Sequence, residues 1–168
     1  YIDEKIKYLK SKGMSDEELK YYGYQAGQIL AKIHQVKTQN YGHFTDQMGI
    51  AKFQTLAESM GQHSDRDKLL EAIVDTKISP EELDEIIEII DQIRTEEEPH
   101  LIHVDYAPKH IFVFEKQITG VIDWEICMSG IAAADLNRWR TQDNRIRITD
   151  LIEGYESVKP LSQSFWSS

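Results

Sequence analysis

The sequence predicts an α+β fold, mainly helical, built around a small β-hairpin. Three observations carry this. Apolar residues recur at three- and four-residue steps, two Ser-x-x-Glu boxes open helices, and residues 100–125 alternate short apolar strands with polar loops. A chain of 168 residues with 40% hydrophobic content can bury roughly 70% of its unfolded surface, so residues 1–168 are expected to pack as a single domain.

Ile2, Ile6 and Leu9 predict a short first helix closed by Gly13 as a left-handed cap. Ser15 and Glu18 form a capping box that opens a long helix. Its buried stripe is Leu19, Tyr22, Ala26, Ile29, Leu30, Ile33 and, at the edge, Val36. Gly23 and Gly27 lie four apart on this helix and permit close packing against another element. His34 ends it, placed to interact with the terminal carbonyls. Residues 38–48, rich in Gln, Asn, Gly and His, have no period and read as a loop. Helical spacing returns over 50–60 and again at Leu69, Leu70, Ile73 and Val74. Ser79 to Glu82 is a second capping box with Pro80 in the first turn, and the amphipathic helix it opens runs to about Arg94. Pro99 ends that segment and favours extended backbone before it.

The central stretch reads as a strand through Leu101 and Ile102, a polar loop stiffened by Pro108, a strand over 111–114, a turn over 115–117 and a strand over 118–122. This layout puts His103, Asp105, His110 and Asp123 at loop and strand ends, where rigid strands aim polar groups into a cleft. Two carboxylates so placed suit phosphoryl transfer, which asks the protein mainly for positioning and charge neutralisation. Taken alone, Asp105 reads first as an aspartate closing its own turn; Asp123 beyond the hairpin reverses that and favours chemistry.

The pattern His103-x-Asp105-x-x-x-x-His110, followed eighteen positions after Asp105 by Ile122-Asp123-Trp124-Glu125, resembles the catalytic core of the aminoglycoside phosphotransferase and choline kinase-like family. The family pattern is His-Gly-Asp-x-x-x-x-Asn and then Ile-Asp-Trp or Ile-Asp-Phe. The resemblance implies a protein-kinase-like C-terminal lobe whose hairpin carries the catalytic loop. It makes Asp105 the catalytic base, Asp123 the metal ligand beside the nucleotide, and His103 a catalytic-loop residue that braces before it does any chemistry. Val104 replaces the usual Gly, and His110 stands where the family's Asn binds a second metal. Imidazole suits manganese better than magnesium. Three readings therefore stay open: one Mg2+ on Asp123 alone, a softer ion such as Mn2+ on Asp123 and His110, or lost chemistry with binding retained. Lys109 either offsets phosphate charge or is merely solvated.

Three other segments share the resemblance. Leu30 to His34 is similar to the family's Leu-x-x-Leu-His, and Tyr41-Gly42-His43 to a Tyr-Gly-His turn. The run Ser129 to Leu136 is similar to Gly-Asp-Pro-x-x-Asp-Leu, a turn entering a helix, without its first Asp and its Pro, which implies that Asp135 props the catalytic loop. The family's smaller nucleotide-gripping lobe, with its glycine-rich loop and strand lysine, has no counterpart in residues 1–168, so the chain is expected to be the catalytic lobe of something longer. Arg138, Arg140, Arg145 and Arg147 are interleaved with Asp143 and Asp150 and read as surface pairs rather than a phosphate site. Glu153 and Glu156 read as acceptor-site acids or solvated charge.

The net charge is −10, from 19 basic and 29 acidic side chains, which repels phosphate backbones and excludes nucleic acid as a natural partner while tolerating a cationic substrate. Cys127 is alone and builds no disulfide framework, and neither a membrane span nor a signal peptide is visible, so a cytoplasmic protein is expected. The expected function is transfer of the γ-phosphate of ATP or GTP to a hydroxyl of a small molecule, an aminoglycoside or other antibiotic among the candidates. The rival is a catalytically inactive kinase-like binding module. A metal-dependent phosphoesterase using His103, Asp105, His110 and Asp123 together fits the strand-loop-hairpin order less well.

Overall fold

The computed structural model describes residues 7–9, 13–61, 78–85, 98–141 and 145–161. Helix α1 spans Asp16–Ile33 and opens on the expected box, with Glu18 N–H donating to Ser15 Oγ at 3.2 Å and Ser15 N–H to the Glu18 carboxylate at 3.0 Å. The same reciprocal pair forms between Ser79 and Glu82, ahead of helical residues 80–85. The rest of that helix and the stripe at 69–74 lie outside the described residues.

The strands form two antiparallel sheets. One has β1 (Lys7–Tyr8), β5 (Ile111–Phe114) and β6 (Gln117–Val121) in the order β1-β5-β6; the other has β2 (Tyr41–Phe44), β3 (Ala51–Phe53), β4 (His100–Ile102) and β7 (Met128–Gly130) in the order β3-β2-β7-β4. The β5–β6 hairpin closes with Phe114 opposite Gln117, and its two loop residues, Glu115 and Lys116, take φ of 48° and 62°, the left-handed pair that suits strand twist. Helix α2 is Leu56–Gly61, α3 is Ala132–Thr141 and α4 is Ile148–Glu156.

Several local expectations fail for one reason. Lys7–Tyr8 is strand rather than helix, because it pairs with Val113 and Phe112. Tyr41–Phe44 and Ala51–Phe53 pair with one another, so a hairpin replaces the expected loop and the start of the expected helix. Ser129 lies in a strand between β2 and β4 before α3 begins. Strands of two to four residues show no period of their own, and a partner elsewhere in the chain decides them. Val36 is 51% exposed beyond the end of α1 and does not extend its stripe.

The core joins Leu19, Tyr22, Ala26 and Leu30 of α1 to Ile111 of β5, Leu136 and Trp139 of α3, and Leu151 and Tyr155 of α4. Helices α1 and α4 cross in backbone contact. A Cβ at Gly27 would lie 1.9 Å from the Leu151 carbonyl oxygen, and one at Gly154 would lie 1.9 Å from that of Tyr24. The glycines four apart on α1 therefore serve close packing.

Candidate active site

Asp135 of α3, fully buried, organises the site. Its Oδ2 accepts from the His103 N–H at 2.8 Å and its Oδ1 from the Val104 N–H at 2.6 Å. His34 Nε2 stands 3.1 Å from the same Oδ2, and its Nδ1 is 2.9 Å from the Tyr155 hydroxyl. With Nε2 donating to the carboxylate, Nδ1 accepts from Tyr155. The expectation that His34 interacts with helix-end carbonyls is thus corrected: its backbone N–H reaches the Leu30 carbonyl, but its ring enters the core and joins α1 to α3 and α4.

The carboxylate of Asp135 fixes the start of the loop that follows β4, and Val104 is held there at φ 72°. A β-branched residue in that region costs about 1–3 kcal/mol. Glycine would adopt it freely. Val104→Gly is accordingly expected to raise stability by about 1 kcal/mol, after its own loss of chain entropy, as a higher urea midpoint at unchanged slope. A lower midpoint would mean that packing of the valine outweighs its strain.

His103 is also fully buried; its Nε2 donates to the Ile122 carbonyl at 2.8 Å, which ties the loop after β4 to the end of β6. Tyr106 donates to the Ala26 carbonyl at 2.8 Å and anchors the loop on α1, its own ionisation pushed up by complete burial and the Asp135 charge. Pro108–His110 forms a single 3-10 turn leading into β5.

This frame brings Asp105, His110 and Asp123 together, with one donor atom from each inside 4.8 Å of the others. His110 Nε2 lies 2.9 Å from Asp123 Oδ2, and His110 Nδ1 lies 2.9 Å from the Asp105 carbonyl and 3.5 Å from its Oδ2. Asp123, at φ 70°, leaves the end of β6 in a left-handed conformation with its side chain 43% exposed. Two carboxylates and an imidazole fit a divalent ion, and the nitrogen favours manganese over magnesium. His103, the fourth residue expected at the site, sits behind this cluster with its ring on the Ile122 carbonyl.

Arg138 and Lys109 complete the surroundings of Asp105. Arg138 Nε donates to Oδ1 at 2.5 Å, and Lys109 Nζ lies 3.0 Å from Oδ2. Burial works to raise the Asp105 pKa, but the bonds from Lys109 and Arg138 outweigh it and leave the carboxyl below its ordinary value. Arg138 therefore departs from the surface pairing expected of its cluster. Spacing offers the signal: it lies three residues after Asp135, on the same helix face as the loop's prop. Arg145 does pair at the surface, with Asp16 at 3.7 Å, whereas Arg147 reaches 2.9 Å from Asp150, whose carboxylate is buried.

A loop propped from a helix, with a carboxylate on either side of a hairpin, is thus the arrangement that the fold presents. The solved structures it matches share that fold. Aminoglycoside phosphotransferase APH(4)-Ia superposes with a TM-score of 0.67 at 19% identity, over 97% of this chain and 56% of that one. A thermostable variant of it, in ternary complex with ADP and hygromycin B, gives 0.60 over 79% and 46% at 19% identity, and macrolide 2'-phosphotransferase MphH from Brachybacterium faecium gives 0.54 over 89% and 49% at 16% identity. Among curated proteins, homoserine kinases from Phenylobacterium zucineum and Rhizobium johnstonii are 38% and 33% identical over 72 residues, 38% of this chain and 22% of each kinase. The chain thus spans about half the length of the solved structures and about a fifth of the homoserine kinases. The profile of the phosphotransferase enzyme family matches residues 1–156, and the chain belongs to that family. Among the described residues, no helix is long and apolar enough to cross a membrane.

Proposed function

We propose that this chain is the catalytic lobe of a small-molecule kinase that transfers the γ-phosphate of ATP or GTP to a hydroxyl of a cationic acceptor. The observation that carries this reading is the convergence of Asp105, His110 and Asp123 on a loop propped by Asp135. Asp105 orients the acceptor hydroxyl and takes its proton. Its lowered pKa makes it a weak base, which suits a loose transition state that needs orientation before proton removal. Asp123 and His110 would hold the divalent ion, Mg2+ or Mn2+, which supplies charge neutralisation at the terminal phosphates. His103 braces the loop rather than meeting substrate, since its Nε2 is committed to the Ile122 carbonyl. Family membership and neighbours solved with ADP and hygromycin B support a nucleotide donor and a hydroxyl-rich acceptor. The net charge of −10 favours a cationic one. Aminoglycosides, other antibiotics and amino alcohols are the acceptors to screen.

The test is a calorimetric titration of the gene product with ATP and GTP, in magnesium and in manganese. Nucleotide binding is expected to need the metal and to weaken at least about tenfold in Asp123→Ala. Binding indifferent to both metal and Asp123 would overturn the assignment. The alternative, a catalytically silent binding module, draws on His110, whose Nε2 stands 2.9 Å from Asp123 Oδ2 in the place where the family's Asn binds a metal. Metal-dependent binding without transfer to any acceptor or to water would favour it.

A further inference from the structure

Lys109 has no role in the mechanism above, yet it touches the base that the mechanism needs. Its ammonium lies 3.0 Å from Asp105 Oδ2, while Arg138 Nε holds Oδ1 at 2.5 Å. Both oxygens of the carboxylate are thus engaged by cations before any acceptor arrives. Each oxygen keeps a lone pair for an acceptor hydroxyl, but the carboxylate takes up a proton less readily while both cations hold it, so proton transfer gains if one of them yields.

The two cations differ in how firmly they are held. Arg138 rises from a helix whose flanking residues Asp135, Leu136 and Trp139 are buried, and a guanidinium on so short an approach is geometrically committed. Lys109 stands on the 3-10 turn with its side chain 55% exposed, a compact charge on a flexible four-carbon stem. It holds Oδ2, the oxygen turned toward His110 at 3.5 Å and so toward the cluster to which the proposed function assigns the metal. Lys109 is the cation that can leave, and the place it leaves toward is where negative charge builds.

We propose that Lys109 is a second catalytic residue: when the acceptor hydroxyl binds Asp105, the Lys109 ammonium moves from Oδ2 onto the phosphoryl group in transfer. The proposal rests on the phosphotransferase reading. In the step, the acceptor oxygen forms its bond to the γ-phosphorus as the bond from that phosphorus to the bridging oxygen breaks. The nucleoside diphosphate departs with the electron pair, and the hydroxyl proton passes to the carboxylate oxygen that Lys109 vacated. One movement then serves both partners. Removing a positive charge from Asp105 lets it accept the proton, and bringing that charge to the phosphoryl oxygens stabilises the transition state where it differs most from the ground state.

The test compares Lys109→Gln, Lys109→Arg and Asp105→Asn in the full gene product. Initial rates of transfer are followed from ATP or GTP, in magnesium or manganese, to an acceptor or to water. Lys109→Gln is expected to lower kcat about 100-fold while the nucleotide KM stays within about threefold, because the contact exists only during transfer. Lys109→Arg, which keeps the charge, is expected to recover part of the loss. A lysine that only pairs with Asp105 at the surface would leave kcat unchanged, or raise it by freeing the base. If Lys109→Gln keeps native kcat while Asp105→Asn loses it, Lys109 is not catalytic and the phosphotransferase reading stands. If Asp105→Asn turns over normally, or the native protein transfers to nothing, that reading falls and Lys109 falls with it.

Discussion

Asp105→Asn is expected to cut phosphoryl transfer on the order of 1000-fold while leaving the fold intact, a loss at the upper part of the range for a positioned general base. The isosteric amide cannot take the hydroxyl proton. Its oxygen can serve only one of the two cations now shared by the carboxylate, so its NH2 faces the other. Stability should change by no more than about 1 kcal/mol, because those cations are 40% and 55% exposed and their pairing is screened by solvent. Steady-state rates read against a circular dichroism melt separate the two effects. Turnover within tenfold of native, in a folded variant, would remove Asp105 from the mechanism.

Gly27→Ala should be, with Gly154→Ala, one of the two most damaging glycine-to-alanine changes among the described residues. The added Cβ would stand 1.9 Å from the Leu151 carbonyl oxygen and 2.7 Å from the Tyr155 nitrogen. Both are backbone atoms of α4, so no side-chain rotation relieves the clash and the helices must separate. Separation opens the seam where Tyr22, Ala26 and Leu30 meet Leu151 and Tyr155, and a loss of about 3 kcal/mol or more is expected. That is a large share of the roughly 5–15 kcal/mol that holds a domain folded. Gly120→Ala makes the control, since its new Cβ would meet only the Phe112 ring, at an ordinary 3.8 Å. Urea midpoints of the two variants should differ by most of the predicted loss; equal midpoints would mean that α1 and α4 can part without cost.

What the chain reveals locally and what it hides divide along sequence distance. Helix α1, its Ser15–Glu18 box and the β5–β6 hairpin were legible because their signals lie within a few residues of one another. Strands β1, β2 and β3 were not, because their identity comes from partners such as Val113 and Ser129. In the site, the spacing of Asp105, His110 and Asp123 marked all three residues that converge. His34 was misread for the same reason as the strands: its local position points to helix carbonyls, and the carboxylate it meets is 101 residues away. Arg138 reaches Asp105 across 33 residues, and only the step from Asp135 hinted at it.

The two carboxylates ride on different sheets. Asp105 follows β4, the edge of the four-stranded sheet, whereas Asp123 follows β6, an edge of the three-stranded one. Two rings cross that divide, His103 to the Ile122 carbonyl and His110 to the Asp105 carbonyl. A substitution at His103, His110 or the Ile122–Asp123 pair should therefore be felt on both sheets. A chimaera that imports a relative's residues 110–123 replaces His110 and Asp123 together, yet must still accept the host's His103 at the carbonyl of position 122.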